Sequence, residues 1–258
     1  QPMIEVICDL DGVLYRGDLA VPGAPEALRR LTENQARITY VTNNSTRTPA
    51  QAASKIEVVT GVSTDPSQVI TSSQAAASLL TLEDQPTMAV GEKGVVDVLA
   101  QFGVEMTEDP EKASSVVVGL DRNVTYDTIA RASAAVRSGA RFLATNTDPT
   151  LPTATGFLPG AGALVAAIAT AAGRDPEVAG KPHQAIRDLV RSRGIKEAWV
   201  VGDRMDTDIA LATAEPEWCS ILVLTGASTI DHDVSAADHV VPDFESAVDL
   251  VLSRAGQQ

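Results

Sequence analysis

An α/β fold, with a parallel sheet covered by helices, is predicted by three observations. Short β-branched runs alternate with helical stretches along the chain, as in Arg37–Thr42 followed by a helix from Pro49. Two of those runs, Ile4–Cys8 with the single exception of Glu5 and Ala198–Gly202, are apolar, as suits strands buried on both faces of a parallel sheet. Aromatic residues make up only 3%, so Ala, Val, Leu and Ile must build the core, which suits a sheet packed between helices.

Taken in order, the opening run ends in Asp9-Leu10-Asp11-Gly12, two carboxylates that share one face of a strand before a glycine that frees the turn. Asp18 to Pro22 reads as a turn, and Gly23 to Leu31 as a helix with a proline in its first turn. The strand Arg37–Thr42 runs into Asn43-Asn44-Ser45-Thr46, which reads either as an anion site at a helix N-terminus or as an ordinary cap. Val69–Ser73 repeats the strand-then-cap pattern, with a helix through Leu80.

From Thr81 the units become smaller. Strands are expected at Thr87–Val90, Val104–Thr107, Ser115–Gly119 and Arg141–Thr145, and helices at Lys93–Phe102, Thr125–Ser138 and Gly162–Ala172. This alternation predicts a second α/β unit over 81–177, inserted into a core made of 1–80 and 178–258. Within it, Asn146 and Asp148 follow a strand, and Gly160, Ala161 and Gly162 precede a helix; both loops read as substrate-facing or as plain turns.

Past the insert come a short strand at Glu177 ending in Gly180-Lys181-Pro182 and a helix over Gln184–Arg193. The run Ala198–Gly202 then ends in Asp203-Arg204-Met205-Asp206-Thr207-Asp208, with Thr207 or Asp208 starting a helix. One cap does not use three aspartates, whereas a hard divalent cation does. Ser220–Leu224 is a further strand, His239–Pro242 an edge strand, and Glu245–Leu252 a closing helix.

Composition excludes several classes. The 258 residues carry a formal net charge of −14, which disfavours nucleic-acid and anionic membrane partners. No apolar run approaches the roughly 20 residues of a membrane span. The N-terminus lacks the charged, apolar and small-residue order of a signal peptide, and Cys8 and Cys219 form no metal or redox spacing. The expected compartment is the cytoplasm.

Four expected strand ends thus carry chemistry: Asp9 with Asp11, Thr42 with Asn43, Lys181, and Asp203 with Asp208. In a parallel sheet those ends meet along one edge. Hard oxygen ligands, hydroxyl and amide donors and one positive charge together suit phosphoryl transfer. The chain has no Gly-x-x-x-x-Gly-Lys loop, Gly-x-Gly-x-x-Gly turn, His-Glu-x-x-His or Gly-x-Ser-x-Gly elbow, and His183, His232 and His239 are dispersed. A carboxylate nucleophile is the economical choice.

In these four motifs the sequence resembles the haloacid dehalogenase superfamily of phosphatases, and its NagD-like branch in Val21-Pro22-Gly23-Ala24, Gly119-Leu120-Asp121, Ala144 to Asp148, Pro159 to Gly162 and Leu222 to Gly226. The resemblance implies a Rossmann-like parallel-sheet core with a large α/β cap inserted between the second and third motifs, and Mg²⁺-dependent hydrolysis of a small-molecule phosphate ester. It makes Asp9 the nucleophile and a metal ligand, and Asp11 the general acid and base with its backbone carbonyl on the metal. Thr42, Asn43 and Lys181 would hold the phosphoryl group, Asp203 would bind Mg²⁺, and Asp208 would support the metal shell. Glycerol 3-phosphate or a similar polyol or sugar phosphate is the expected substrate; phosphoglycolate, pyridoxal phosphate and nucleoside monophosphates are used in the branch too. A phosphoryl transferase or mutase and a receiver-like signalling module are the rivals from other classes. Ala214–Cys219 departs from the glycine-containing turn usual in the family, which bears on the local loop and on a homodimer contact.

Overall fold

The computed structural model describes residues 3–153, 155–228 and 233–255; His232 lies outside them. The chain opens with β1 (Glu5–Cys8), whose residues alternate strictly between two apolar clusters: Val6 and Cys8 on one face of the sheet, Ile7 on the other. The expected turn at Asp18–Pro22 is a small antiparallel hairpin, β2 (Tyr15–Arg16) with β3 (Leu19–Ala20). Strands of two residues are too short to show a period.

Helix α1 (Ala24–Glu33) leads to β4 (Arg37–Thr42), and α2 (Pro49–Thr60) starts on a capping box in which Thr48 and Gln51 satisfy each other's backbone N–H groups. β5 (Val69–Thr71) and α3 (Ser72–Ser78) repeat that design with Thr71 and Gln74. The second unit holds β6 (Thr87–Val90), α4 (Lys93–Gln101), β7 (Ser115–Val118), α5 (Tyr126–Arg137) and β8 (Arg141–Ala144). Val104–Thr107 is not a strand: Met106 makes one isolated bridge to Thr87 and its side chain is exposed.

An antiparallel hairpin that the sequence did not announce follows, β9 (Thr150–Thr153) and β10 (Gly156–Pro159), then α6 (Ala161–Ala172) and β11 (Glu177–Val178). The chain finishes with α7 (Gln184–Arg191), β12 (Ala198–Gly202), α8 (Ala210–Thr213), β13 (Trp218–Val223), β14 (His239–Val241) and α9 (Phe244–Ala255). Between β12 and α8, Met205–Ile209 forms one wide π turn, where a regular helix start was expected.

Two parallel sheets result. The first has the order β14-β13-β12-β1-β4-β5, the second β11-β8-β7-β6. β1 lies between β4, which follows it, and β12, which returns from the far end of the chain, so the strand order reverses around its carboxyl end.

One apolar cluster joins both sheets, combining Ile7, Val41 and Val200 of the first with Val117 and Leu143 of the second and with Val95 and Leu99 of α4. At this seam Gly94 is packed so closely that a Cβ there would fall on the backbone of Ser45, Thr46 and Arg47. Alanine at an open helix position gains about 1 kcal/mol over glycine. Against immovable backbone the sign reverses, and Gly94→Ala is expected to destabilise by about 1–3 kcal/mol. A lowered urea midpoint checks this; an unchanged or raised midpoint means that the seam yields.

Candidate active site

Asp9 follows β1 directly, and its backbone N–H extends the ladder by donating to the Val201 carbonyl at 2.9 Å. Lys181 reaches it from the loop after β11, which belongs to the second sheet and not, as expected, to the edge that carries Asp9, Thr42 and Asp203. Its buried ammonium donates to Asp9 Oδ1 at 2.6 Å, to Asp208 Oδ1 at 2.7 Å and to the Val41 carbonyl at 2.8 Å, which uses all three of its protons. Burial works to lower the lysine's affinity for its proton, and Asp208 and Asp9 outweigh it, so Lys181 stays charged far above its ordinary range.

The π turn settles which aspartates of the 203–208 cluster face inward. Arg204 O accepts from both Asp208 N and Ile209 N, and this wide turn buries Asp208, whose Oδ2 accepts from Arg204 N at 3.2 Å. Asp206 turns out to solvent and pairs with the Arg204 guanidinium. Asp203 is gripped by Gly12 and Gly226, where a Cβ on either would collide with its carboxylate. Its Oδ2 accepts from Ala227 N at 2.6 Å, while its buried Oδ1 has no partner.

Oxygens of Asp9, Asp203 and Asp208 all lie within 4.8 Å of one another. Burial raises the carboxyl of each: Asp9 above its usual range against the pull of Lys181, Asp208 to about 6, and Asp203 well above, with Asp9 and Asp208 adding their repulsion. Three carboxylates against one ammonium leave two negative charges, which a divalent cation held by hard oxygens would balance. The buried, unpartnered Asp203 Oδ1 is an atom that such an ion would take as a ligand. The residues present therefore fit Mg²⁺.

Asp11 stands outside this acidic cluster and accepts from Asn44 Nδ2 at 3.2 Å. Thr42 is buried and its Oγ1 accepts from Asn44 N. The side chain of Asn43 is a junction: Nδ2 donates to Asp148 Oδ1 at 3.0 Å and to Lys181 O at 3.3 Å, and Oδ1 accepts from Lys181 N at 2.8 Å. Asn146 donates to Asn43 O at 2.6 Å. Burial raises the Asp148 carboxyl, countered by the Arg204 charge and the Asn43 amide.

A cleft of about 570 Å³, its open mouth included, lies over Asp9, Asp11 and Lys181. Asn146, Asp148, Gly160 and Ala161 line it from the second unit. Gly162 does not line it; it seats α6 against the backbone of Thr147 and Asp148. Leu120, Leu151, Pro152 and Arg204 also form its walls, and none of them is marked as substrate-facing by the sequence. Leu120 and Arg204 lie within motif stretches, whereas Leu151 and Pro152 carry no sequence signature of their own.

Family models match two stretches of the chain, a haloacid dehalogenase-like hydrolase over residues 6–105 and a HAD-hydrolase-like model over 178–247. Over 257 residues, the chain is 36% identical to an acid sugar phosphatase of Staphylococcus epidermidis, which covers 96% of both proteins. The chain belongs to the haloacid dehalogenase superfamily of phosphatases, in its NagD-like branch. It is also 37% identical over 229 residues to D-glycerol 3-phosphate phosphatase of Mycobacterium tuberculosis, covering 87% of this chain and 64% of that one. The crystal structure of the mycobacterial glycerol phosphate phosphatase in complex with magnesium superposes with a TM-score of 0.85 at 35% identity, over 95% of this chain and 76% of that one.

In this haloacid dehalogenase phosphatase the buried lysine bridges two carboxylates, Asp9 and Asp208. Removing one partner of a buried charge cluster typically costs about 3–5 kcal/mol. Without divalent metal, Lys181→Met is expected to lose stability on that scale, and Asp208→Asn added to it is expected to cost less than the sum of the two single changes. Chemical unfolding of both single variants and the double variant measures the coupling; strict additivity rejects it.

Proposed function

We propose that the chain is a Mg²⁺-dependent phosphomonoesterase for a small polyol or sugar phosphate such as glycerol 3-phosphate, working through an aspartyl-phosphate on Asp9 beneath a cap formed by 81–177. The observation that carries this reading is the acidic cluster of Asp9, Asp203 and Asp208 with one lysine and one unpartnered buried oxygen.

Bound by Asp9, Asp203, the Asp11 carbonyl and the shell around Asp208, Mg²⁺ would supply charge neutralisation between a carboxylate and a phosphate dianion. Asp9 Oδ attacks phosphorus and the phosphorus–ester oxygen bond breaks. Asp11 gives its proton to the departing alkoxide, then takes one from the water that hydrolyses the acyl phosphate and releases inorganic phosphate. Thr42, the backbone at Asn43 and Lys181 hold the phosphoryl oxygens. All three Lys181 protons are already engaged, so its contact with phosphate comes as Asp9 gives up its charge to the new bond.

The polyol preference is supported by two relatives, one named an acid sugar phosphatase and the other a D-glycerol 3-phosphate phosphatase. It is supported also by the cleft, where no aromatic side chain stands among the described lining residues to stack a base or a pyridine ring.

Phosphate release over a panel of phosphomonoesters, with no acceptor present, is expected to favour glycerol 3-phosphate over nucleoside monophosphates and pyridoxal phosphate. Asp9→Asn is expected to abolish it; retained Mg²⁺-dependent turnover in that variant would falsify the nucleophile assignment. Saturating Mg²⁺ is expected to raise the unfolding free energy, by about 2.7 kcal/mol at 100 times its dissociation constant. A titration followed by thermal unfolding should show that shift in the parent and lose it in Asp203→Asn.

A further inference from the structure

Asn44 has no assigned part in the reaction, yet its side chain hydrogen-bonds the Asp11 carboxylate. Its amide orientation is fixed from the far side: Thr46 N and Thr46 Oγ1 both donate to Asn44 Oδ1, at 3.0 and 2.7 Å. A backbone N–H can only donate, so the atom facing it is the amide oxygen, and Nδ2 must face the other way. There it meets Asp11 Oδ2 at 3.2 Å. The Asn44 backbone is pinned as well, its N–H donating to Thr42 Oγ1 at 3.0 Å.

An amide NH₂ cannot accept a hydrogen bond. Asp11 Oδ2 therefore serves as acceptor whether the carboxyl is ionised or protonated, and because a carbonyl oxygen accepts better than a hydroxyl oxygen the contact favours the acidic proton on Oδ1. We propose that Asn44, locked by Thr46, is a positioning residue: it fixes the Asp11 carboxyl so that Oδ1 presents the proton to the departing oxygen and recovers one from water. This rests on the reading of Asp11 as general acid and base. Without the lock the carboxyl rotates about its Cβ–Cγ bond and offers the proton in unproductive directions, a loss of orientation rather than of binding.

The test compares glycerol 3-phosphate with p-nitrophenyl phosphate, whose leaving group departs without protonation, at saturating Mg²⁺. General acid–base catalysis contributes roughly 10²–10⁴-fold, and misorienting the acid forfeits part of that. Asn44→Ala is expected to lower kcat for glycerol 3-phosphate by about 10–100-fold with KM little changed, and to leave p-nitrophenyl phosphate within about threefold. Thr46→Val keeps the backbone donor and removes the hydroxyl, so the same split is expected at about 3–10-fold; it serves also if Asn44→Ala does not fold. Asp11→Asn should show a larger split, and Asn44→Ala added to it should cost nothing more.

An equal fall on both substrates in Asn44→Ala and Thr46→Val, or a further loss in the Asp11→Asn background, overturns the positioning role while the general acid stands. Absence of a split in Asp11→Asn itself overturns the general acid, and the role of Asn44 with it.

Discussion

The ammonium of Lys181, shared between Asp9, Asp208 and the Val41 carbonyl, is the interaction on which the rest of the site depends. Three buried carboxylates in mutual reach are unfavourable by themselves, since burial and like charge act in the same direction on each of them. One lysine reduces that imbalance without removing it. What remains is a preference for a divalent cation, and so for the dianion whose charge that cation can share. The same feature makes the cluster costly to the fold and useful to the chemistry.

Holding the cluster takes special backbone. Gly12, at φ +90°, and Gly226 leave no room beside the Asp203 carboxylate for any side chain, and Gly202 does the same for Asp208. The π turn at Met205–Ile209 turns Asp208 inward and lets Asp206 out. These devices fix carboxylate positions from behind, so the acidic oxygens converge although they repel.

Asp9, Thr42 and Asp203 were legible because strand ends of a parallel sheet share an edge, so they announce one another once the strands are recognised; Lys181 follows a strand of the second sheet, and that rule does not place it. The second side of the cleft was less so. β9 and β10 contain Pro152 and Pro159 and keep no buried face, which removes both the period and the propensity by which strands are found. The Asn43 side chain bonds to residues 105 and 138 positions away, and spacing along the chain carries no trace of such contacts. Asn44 lies within the second motif, but its role follows from the direction of one amide, which the sequence does not encode locally. Asp206 shows the reverse case, an aspartate that composition groups with its neighbours and the backbone removes.

The second unit does more than overhang the cleft. It leaves the first sheet after α3 and returns through β11, which pairs with β8, and Lys181 stands three residues beyond Val178. The backbone leading to that lysine is hydrogen-bonded to the second unit, Ala179 N to Ala144 O at 2.9 Å and Gly180 N to Thr145 O at 2.8 Å. Its own N–H meets Asn43, which in turn holds Asp148 and receives Asn146. The one cation of the cluster is thus carried on the edge of the second sheet and delivered to carboxylates on the first. Close packing at Gly94 and Gly119 against Ser45 and its neighbours keeps the two sheets in register. The geometry at Asp9 is therefore a property of the seam as much as of either sheet, and that seam is what a cap hinged freely on two linkers would not provide.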